Sequence, residues 1–232
     1  KNHALIENAS MFSNYHTISF LSKVCNFNSF TPAHMDFAVC RGYFDLCVFY
    51  TRKGIKCTIH AMEHVAQSGD INMLRWLFAH NNPGYSPNIL NLAAQNGQLE
   101  IMKFLREYMG AQCTENVLDF ACYSGDLELI KWVHTTFKEG CTTDAMSIAA
   151  SNGYLDVIKW LHENRTEGCT TDAMALAARS NHMHVVKWLH ENRTEGCDSC
   201  AIDLAAEGNH IEMVKWLFEN ENATFTVEAI DH

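Results

Sequence analysis

Several things are scarce in this chain of 232 residues, and each scarcity narrows what it can be. Proline occurs three times, too seldom for a polyproline or loop-dominated protein and compatible with a chain that is mostly helix. No apolar run approaches the roughly 18 residues that a membrane-spanning helix needs, and no secretory leader is visible at the start. Chemical motifs are missing too. There is no G-x-S-x-G, Walker loop, dinucleotide fingerprint or H-E-x-x-H, and no pair of carboxylates is set apart by its context. The expectation is a protein that is not an enzyme, with no cofactor, no membrane partner and no small-molecule substrate. Basic residues are scarce in the second half. Residues 113–232 hold 8 Lys+Arg against 20 Asp+Glu, whereas residues 1–112 hold 9 against 7. A nucleic-acid footprint needs a basic face, so nucleic acid is not the expected partner. The acidic half reads as a solvated surface that keeps the chain soluble, with a basic partner as the alternative.

What is present is a repeat. The stretch Val157–Cys169 recurs almost verbatim as Val185–Cys197, 28 residues later. A fixed period signals a stack of small units, in which recurrent residues serve the stack first. With 47% hydrophobic and 19% charged residues the chain is globular rather than disordered. Units of 28 residues run 57–84, 85–112, 113–140, 141–168, 169–196 and 197–224. Residues 29–56 form a looser copy, residues 1–28 a divergent first unit or cap, and residues 225–232 the start of a further, truncated unit. The chain opens on Lys1 rather than Met, so it is expected to be a slice of a longer protein, with the array continuing past His232. Phe12, Phe20, Phe27 and Phe30 are candidates to shield the first end of the stack.

Glycine marks the register at Gly42, Gly69, Gly97, Gly125 and Gly153, and Asn181 and Asn209 take the same place. Gly and Asn adopt left-handed backbone most cheaply. Their exchange predicts a tight turn ending one helix and launching the next. Before each marker lies a short segment with paired small residues, such as Ala149-Ala150 and Ala177-Ala178. Thr142 or Thr143, and Thr170 or Thr171, can cap that first helix, and Pro87 falls at its first turn in another unit. After each marker comes a second helix whose apolar face is predicted to carry Leu155, Ile158 and Leu161, with Asp156 favourable to the helix dipole in its first turn. Glu-Asn-Arg-Thr-Glu-Gly then reads as a polar connector.

The recurrent reactive residues read as framework. Cys57, Cys113, Cys141, Cys169 and Cys197 share one position, with Tyr85 in the remaining unit. Equivalent residues of stacked helices sit roughly 8–10 Å apart, whereas a disulfide needs Cα atoms within about 7 Å. These are therefore expected to be reduced thiols of a cytoplasmic or nuclear protein. Cys197-Asp198-Ser199-Cys200 is a lone C-x-x-C, too little for zinc. His134, His162 and His190 form one column, so no two of them are expected to share an ion; no metal site is expected. The formal glycosylation sequons at Asn164, Asn192 and Asn222 read as polar loop chemistry. Trp76, Trp132, Trp160, Trp188 and Trp216 share one position, completed by Phe49 and Phe104. They are read as packing between units, and Trp160→Ala as a core truncation costing roughly 3–5 kcal/mol.

The segment Asp144–Lys159 runs parallel to the pattern T-P-L-H-x-A-A-x-x-G-H-L-E-V-V-K and resembles an ankyrin repeat shortened to 28 residues. The resemblance spans roughly residues 29–232; the second helix matches well, and no unit keeps the T-P-L-H tetrapeptide intact. It implies an all-α solenoid of helix–turn–helix units with truncated β-hairpin fingers. It also implies a protein–protein interaction scaffold, whose partner is another protein. A substrate-recognition module of a larger, ubiquitin-ligase-type enzyme is the alternative. Framework positions repeat, so recognition is assigned to positions that differ. The residue after the small pair runs Cys40, Gln67, Gln95, Tyr123, Ser151, Arg179, Glu207. The position opening each first helix runs Ile59, Pro87, Glu115, Thr143, Thr171, Ser199. By the resemblance these face a concave groove or its rim, and Gln67, Gln95, Glu115, Tyr123, Thr143, Ser151, Thr171, Arg179, Ser199 and Glu207 are the expected partner-binding residues. Tyr123 and Arg179 are the expected anchors.

Overall fold

The computed structural model describes His16, Ile18 and residues 30–114, 116–137, 140–197 and 199–221. The proposed cap apart from His16 and Ile18, the C-terminal partial unit, Phe12, Phe20, Phe27 and Glu115 lie outside the described residues. The chain divides into two compact units, Lys1–Gln112 and Cys113–His232. Among the described residues there are fourteen helices and no strand.

In the first unit the helices are α1 (Pro32–Cys40), α2 (Phe44–Arg52), α3 (Ile59–Ser68), α4 (Ile71–His80), α5 (Ile89–Gln95) and α6 (Leu99–Met109). The second has α7 (Val117–Cys122), α8 (Leu127–Phe137), α9 (Asp144–Ser151), α10 (Leu155–Asn164), α11 (Asp172–Arg179), α12 (Met183–Asn192), α13 (Ser199–Glu207) and α14 (Ile211–Asn220). Odd-numbered helices pack on odd-numbered helices within each unit, and each also packs on the helix that follows it. Small side chains permit this: Ala149, Ala150, Ala177 and Ala178 are wholly buried.

The turn between paired helices is left-handed at every marker, with φ +67° at Gly42, +76° at Gly153, +60° at Asn181 and +58° at Asn209. At Gly69, Gly125 and Gly153 a side chain of the next repeat then covers the turn. A Cβ on Gly153 would meet the His182 ring at 2.7 Å, and one on Gly125 the Tyr154 ring at 2.8 Å. Glycine is needed there for close approach as well as for its dihedral angle.

Three local expectations change. The buried face of α10 is Val157, Ile158 and Leu161, with Leu155 only half-buried. The residue after the turn begins the helix and so lies at its margin. Pro87 precedes α5 rather than sitting in its first turn, because Asn88 is the N-cap. The tryptophans are half-buried, whereas Phe49 and Phe104 at the same position are buried. Three of the five indoles meet a histidine of the preceding repeat edge-on: His134 with Trp160, His162 with Trp188 and His190 with Trp216, at 5.2–5.4 Å between ring centroids. The column does pack between repeats, but at the margin of the core.

Candidate partner-binding groove

The first helices of the second unit line a groove of about 480 Å³. Residues four and seven apart share one side of a helix, and α9 places Asp144, Ile148 and Ser151 there. Asp172 and Leu176 of α11 and Cys200 and Leu204 of α13 continue the same rows. Tyr123 and Asn152, just beyond the ends of α7 and α9, complete the lining together with Ser147 and Ala175. The middle is apolar (Ile148, Leu176, Leu204), and one side carries two exposed carboxylates, Asp144 and Asp172.

Of the residues expected to bind, the groove takes Tyr123, which is 44% exposed, and Ser151. Arg179 and Glu207 are exposed at the ends of α11 and α13 without lining it. Thr143 and Thr171 are half-buried N-cap residues, and half-buried Ser199 opens α13. Gln67 and Gln95 are exposed in the other unit, where the Gln67 carbonyl accepts from the Gln98 side chain at 3.4 Å. Asp144, Ile148, Asp172, Leu176, Cys200 and Leu204 line the groove but are not among the residues the sequence assigns to binding. The signal that could have found them is the step of three and seven residues back along each first helix from Ser151, Arg179 and Glu207.

Polar contacts between repeats hold these helices. Asp119 accepts from the Thr142 amide and hydroxyl, both at 2.9 Å, and in the first unit Asp36 accepts from both groups of Thr58 at 2.7 Å. Burial pushes the Asp119 carboxyl above its ordinary pKa, against the two Thr142 bonds that favour its charge. The side-chain oxygens of Thr142 and Thr170, one residue ahead of the N-caps of α9 and α11, accept from the Asp144 and Asp172 amides. Buried Asn81 accepts from the Cys57 amide at 3.0 Å and donates to the Thr51 hydroxyl and the Ile55 carbonyl.

The connectors are part of the stack as well. Arg165 grips Glu167 through two nitrogens, and its Nη1 lies 3.3 Å from His134 Nδ1. Arg193 repeats this with Glu195 and His162. Arginine can only donate, so Nδ1 of His134 and of His162 is the acceptor. Glu221 takes the place of the arginine in the last repeat and meets His190 Nδ1 at 2.6 Å, where that nitrogen donates instead. The sequence expectation of a plain polar linker is therefore corrected: the guanidinium, the imidazole and the indole form one inter-repeat joint.

The described cysteines are free thiols. Burial first, and the nearby Glu167 carboxylate second, push the Cys141 thiol up to about 11, while burial takes Cys47 up to about 12. Such thiols stay protonated and behave as small apolar side chains. Among the described residues no three His, Cys, Asp or Glu side chains converge to hold a metal ion. Asn164 and Asn192 spend their side-chain amides on the carbonyls of Trp160 and Trp188, both at 2.8 Å. No described helix is long and apolar enough to cross a membrane.

A family model described as ankyrin repeats, in three copies, matches residues 61–144 and again residues 146–229. No curated protein matches the chain.

Proposed function

Because the chain belongs to the ankyrin repeat family, whose members generally bind other proteins, we propose that it is an interaction module whose second unit docks a partner protein in the groove of α7, α9, α11 and α13. The observation that carries this reading is the groove itself. An apolar middle, a polar margin and a half-exposed tyrosine share one concavity on packed helices. The hydrogen-bonded helix starts and the joints between repeats favour binding with little ordering cost. Tyr123 is the proposed anchor, with Ser151 beside it. Arg179, Glu207, Thr143, Thr171 and Ser199 are proposed contacts of a partner that extends past the groove; Glu115, and Gln67 and Gln95 on the first unit, are proposed contacts taken each by itself.

A photo-reactive phenylalanine analogue tests the assignment when placed at Tyr123 in one variant and at exposed Lys187 of α12 in another. Capture of the partner from position 123 and not from position 187 is expected. Equal capture from both, or capture only from 187, contradicts the groove.

A further inference from the structure

The charge around the groove is one-sided. Asp144 and Asp172 occupy the same repeat position on neighbouring first helices, and both are exposed on its margin. The Asp172 Oδ2 accepts from the Thr170 hydroxyl at 3.0 Å, which leaves its other oxygen available. The Asp144 carboxylate has no protein partner among the described residues. Carboxylates in the first turn suit the helix dipole, which accounts for their presence on α9 and α11 but not for what opposes them. Among the described residues lining the groove there is no Lys, Arg or His. The half of the chain that contains it holds 8 basic against 20 acidic residues. Between the carboxylates and Tyr123 lie Ile148 and Leu176, so an occupant must offer both apolar surface and positive charge.

Neighbouring packed helices are roughly 8–10 Å apart, and an extended chain in the polyproline II form advances about 3.1 Å per residue. A peptide in that form crossing α9 and α11 therefore passes from one carboxylate to the other in about three residues, and with three residues per turn its side chains at i and i+3 point the same way. We propose that the groove takes an extended segment of a partner protein with two cationic side chains about three residues apart, one for Asp144 and one for Asp172, and an apolar side chain between them over Ile148 and Leu176. This rests on the reading of the groove as a docking site and names its occupant. A phosphate backbone carries the wrong sign for the same margin, which removes nucleic acid as an occupant.

Selection from a random peptide library displayed on phage, using the full chain as bait, tests both levels. The expected result is enrichment of peptides with Lys or Arg at positions i and i+3 and an apolar residue between. Measured by fluorescence anisotropy, such a peptide should bind about tenfold more weakly to the Asp144→Asn, Asp172→Asn double variant, and more weakly at high salt. Asparagine keeps the helix start, and circular dichroism checks that the variant is folded. Enrichment of peptides without basic residues overturns the charge proposal. If those peptides lose affinity for Tyr123→Ala, the docking site itself still stands. Basic peptides that bind the double variant as well as the parent also overturn the proposal. No enrichment, or enriched peptides indifferent to Tyr123→Ala and to the double variant alike, overturns both readings.

Discussion

At the scale of single residues, the repeat separates side chains that hold the stack from side chains that face outward. Trp160 is half-buried and edge-on to His134, so its truncation forfeits less than that of a sealed core ring. Trp160→Ala is expected to cost about 2–3 kcal/mol, at or below the low end of the core range; urea unfolding measures it, and a loss under about 1 kcal/mol removes the indole from the joint. Gly153→Ala is expected to cost about 1–3 kcal/mol, because a left-handed angle and the His182 ring oppose it together. At Gly42 no neighbour stands within 4 Å of an added Cβ, so the same change there should carry the backbone penalty alone. Asp119→Ala leaves the Thr142 amide unpaired and should cost about 1–3 kcal/mol. Asp119→Asn keeps an acceptor for that amide and removes a charge that burial disfavours, so its unfolding free energy should stay within about 1 kcal/mol of the parent. The glycine and asparagine markers were legible in the sequence because their exchange has one conformational meaning. The covering of Gly153 by His182 was not, since it joins residues of different repeats through space.

At the scale of elements, the joint of His134, Trp160, Arg165 and Glu167 recurs as His162, Trp188, Arg193 and Glu195. The hydrogen bonds from Arg193 hold the Glu195 carboxyl below its ordinary 4.5, against the opposing effect of burial. A depressed carboxylate pKa means that the unfolded chain binds more protons than the folded one near that pH. The Glu195 contribution to stability is therefore complete at neutral pH and is lost as pH falls below 4.5 through its folded value. Urea midpoints measured from pH 7 to pH 3 should fall less steeply for Glu195→Gln than for the parent, from a lower start; parallel curves contradict the joint. From sequence this segment reads as a linker, because Arg-Thr-Glu-Gly is polar and turn-like. Burial of a guanidinium between a carboxylate and the previous repeat's imidazole is a tertiary outcome that local composition does not encode.

At the scale of the whole molecule, the all-α repeat fold was legible because a 28-residue period with Gly or Asn at one position admits few architectures. The groove was only partly legible. Tyr123 and Ser151, which line it, stand at a position that varies between repeats, and variation is visible in sequence. Ile148, Leu176 and Leu204 recur as apolar residues, which looks like core; the structure leaves them half-buried along the groove. Recurrence marks shared geometry, and a groove running along a stack is itself shared by successive repeats. Positions that hold the stack are therefore separable from positions that face the groove, and one measurement tests that separation most directly. Calorimetric titration of the partner captured at position 123 against Tyr123→Ala and Trp160→Ala, with thermal unfolding of each variant, reads affinity and stability side by side. Tyr123→Ala should weaken binding about tenfold or more with an unfolding midpoint close to the parent's, while Trp160→Ala should lower the midpoint and leave affinity nearly unchanged wherever the protein remains folded. Unchanged affinity in Tyr123→Ala would contradict the account.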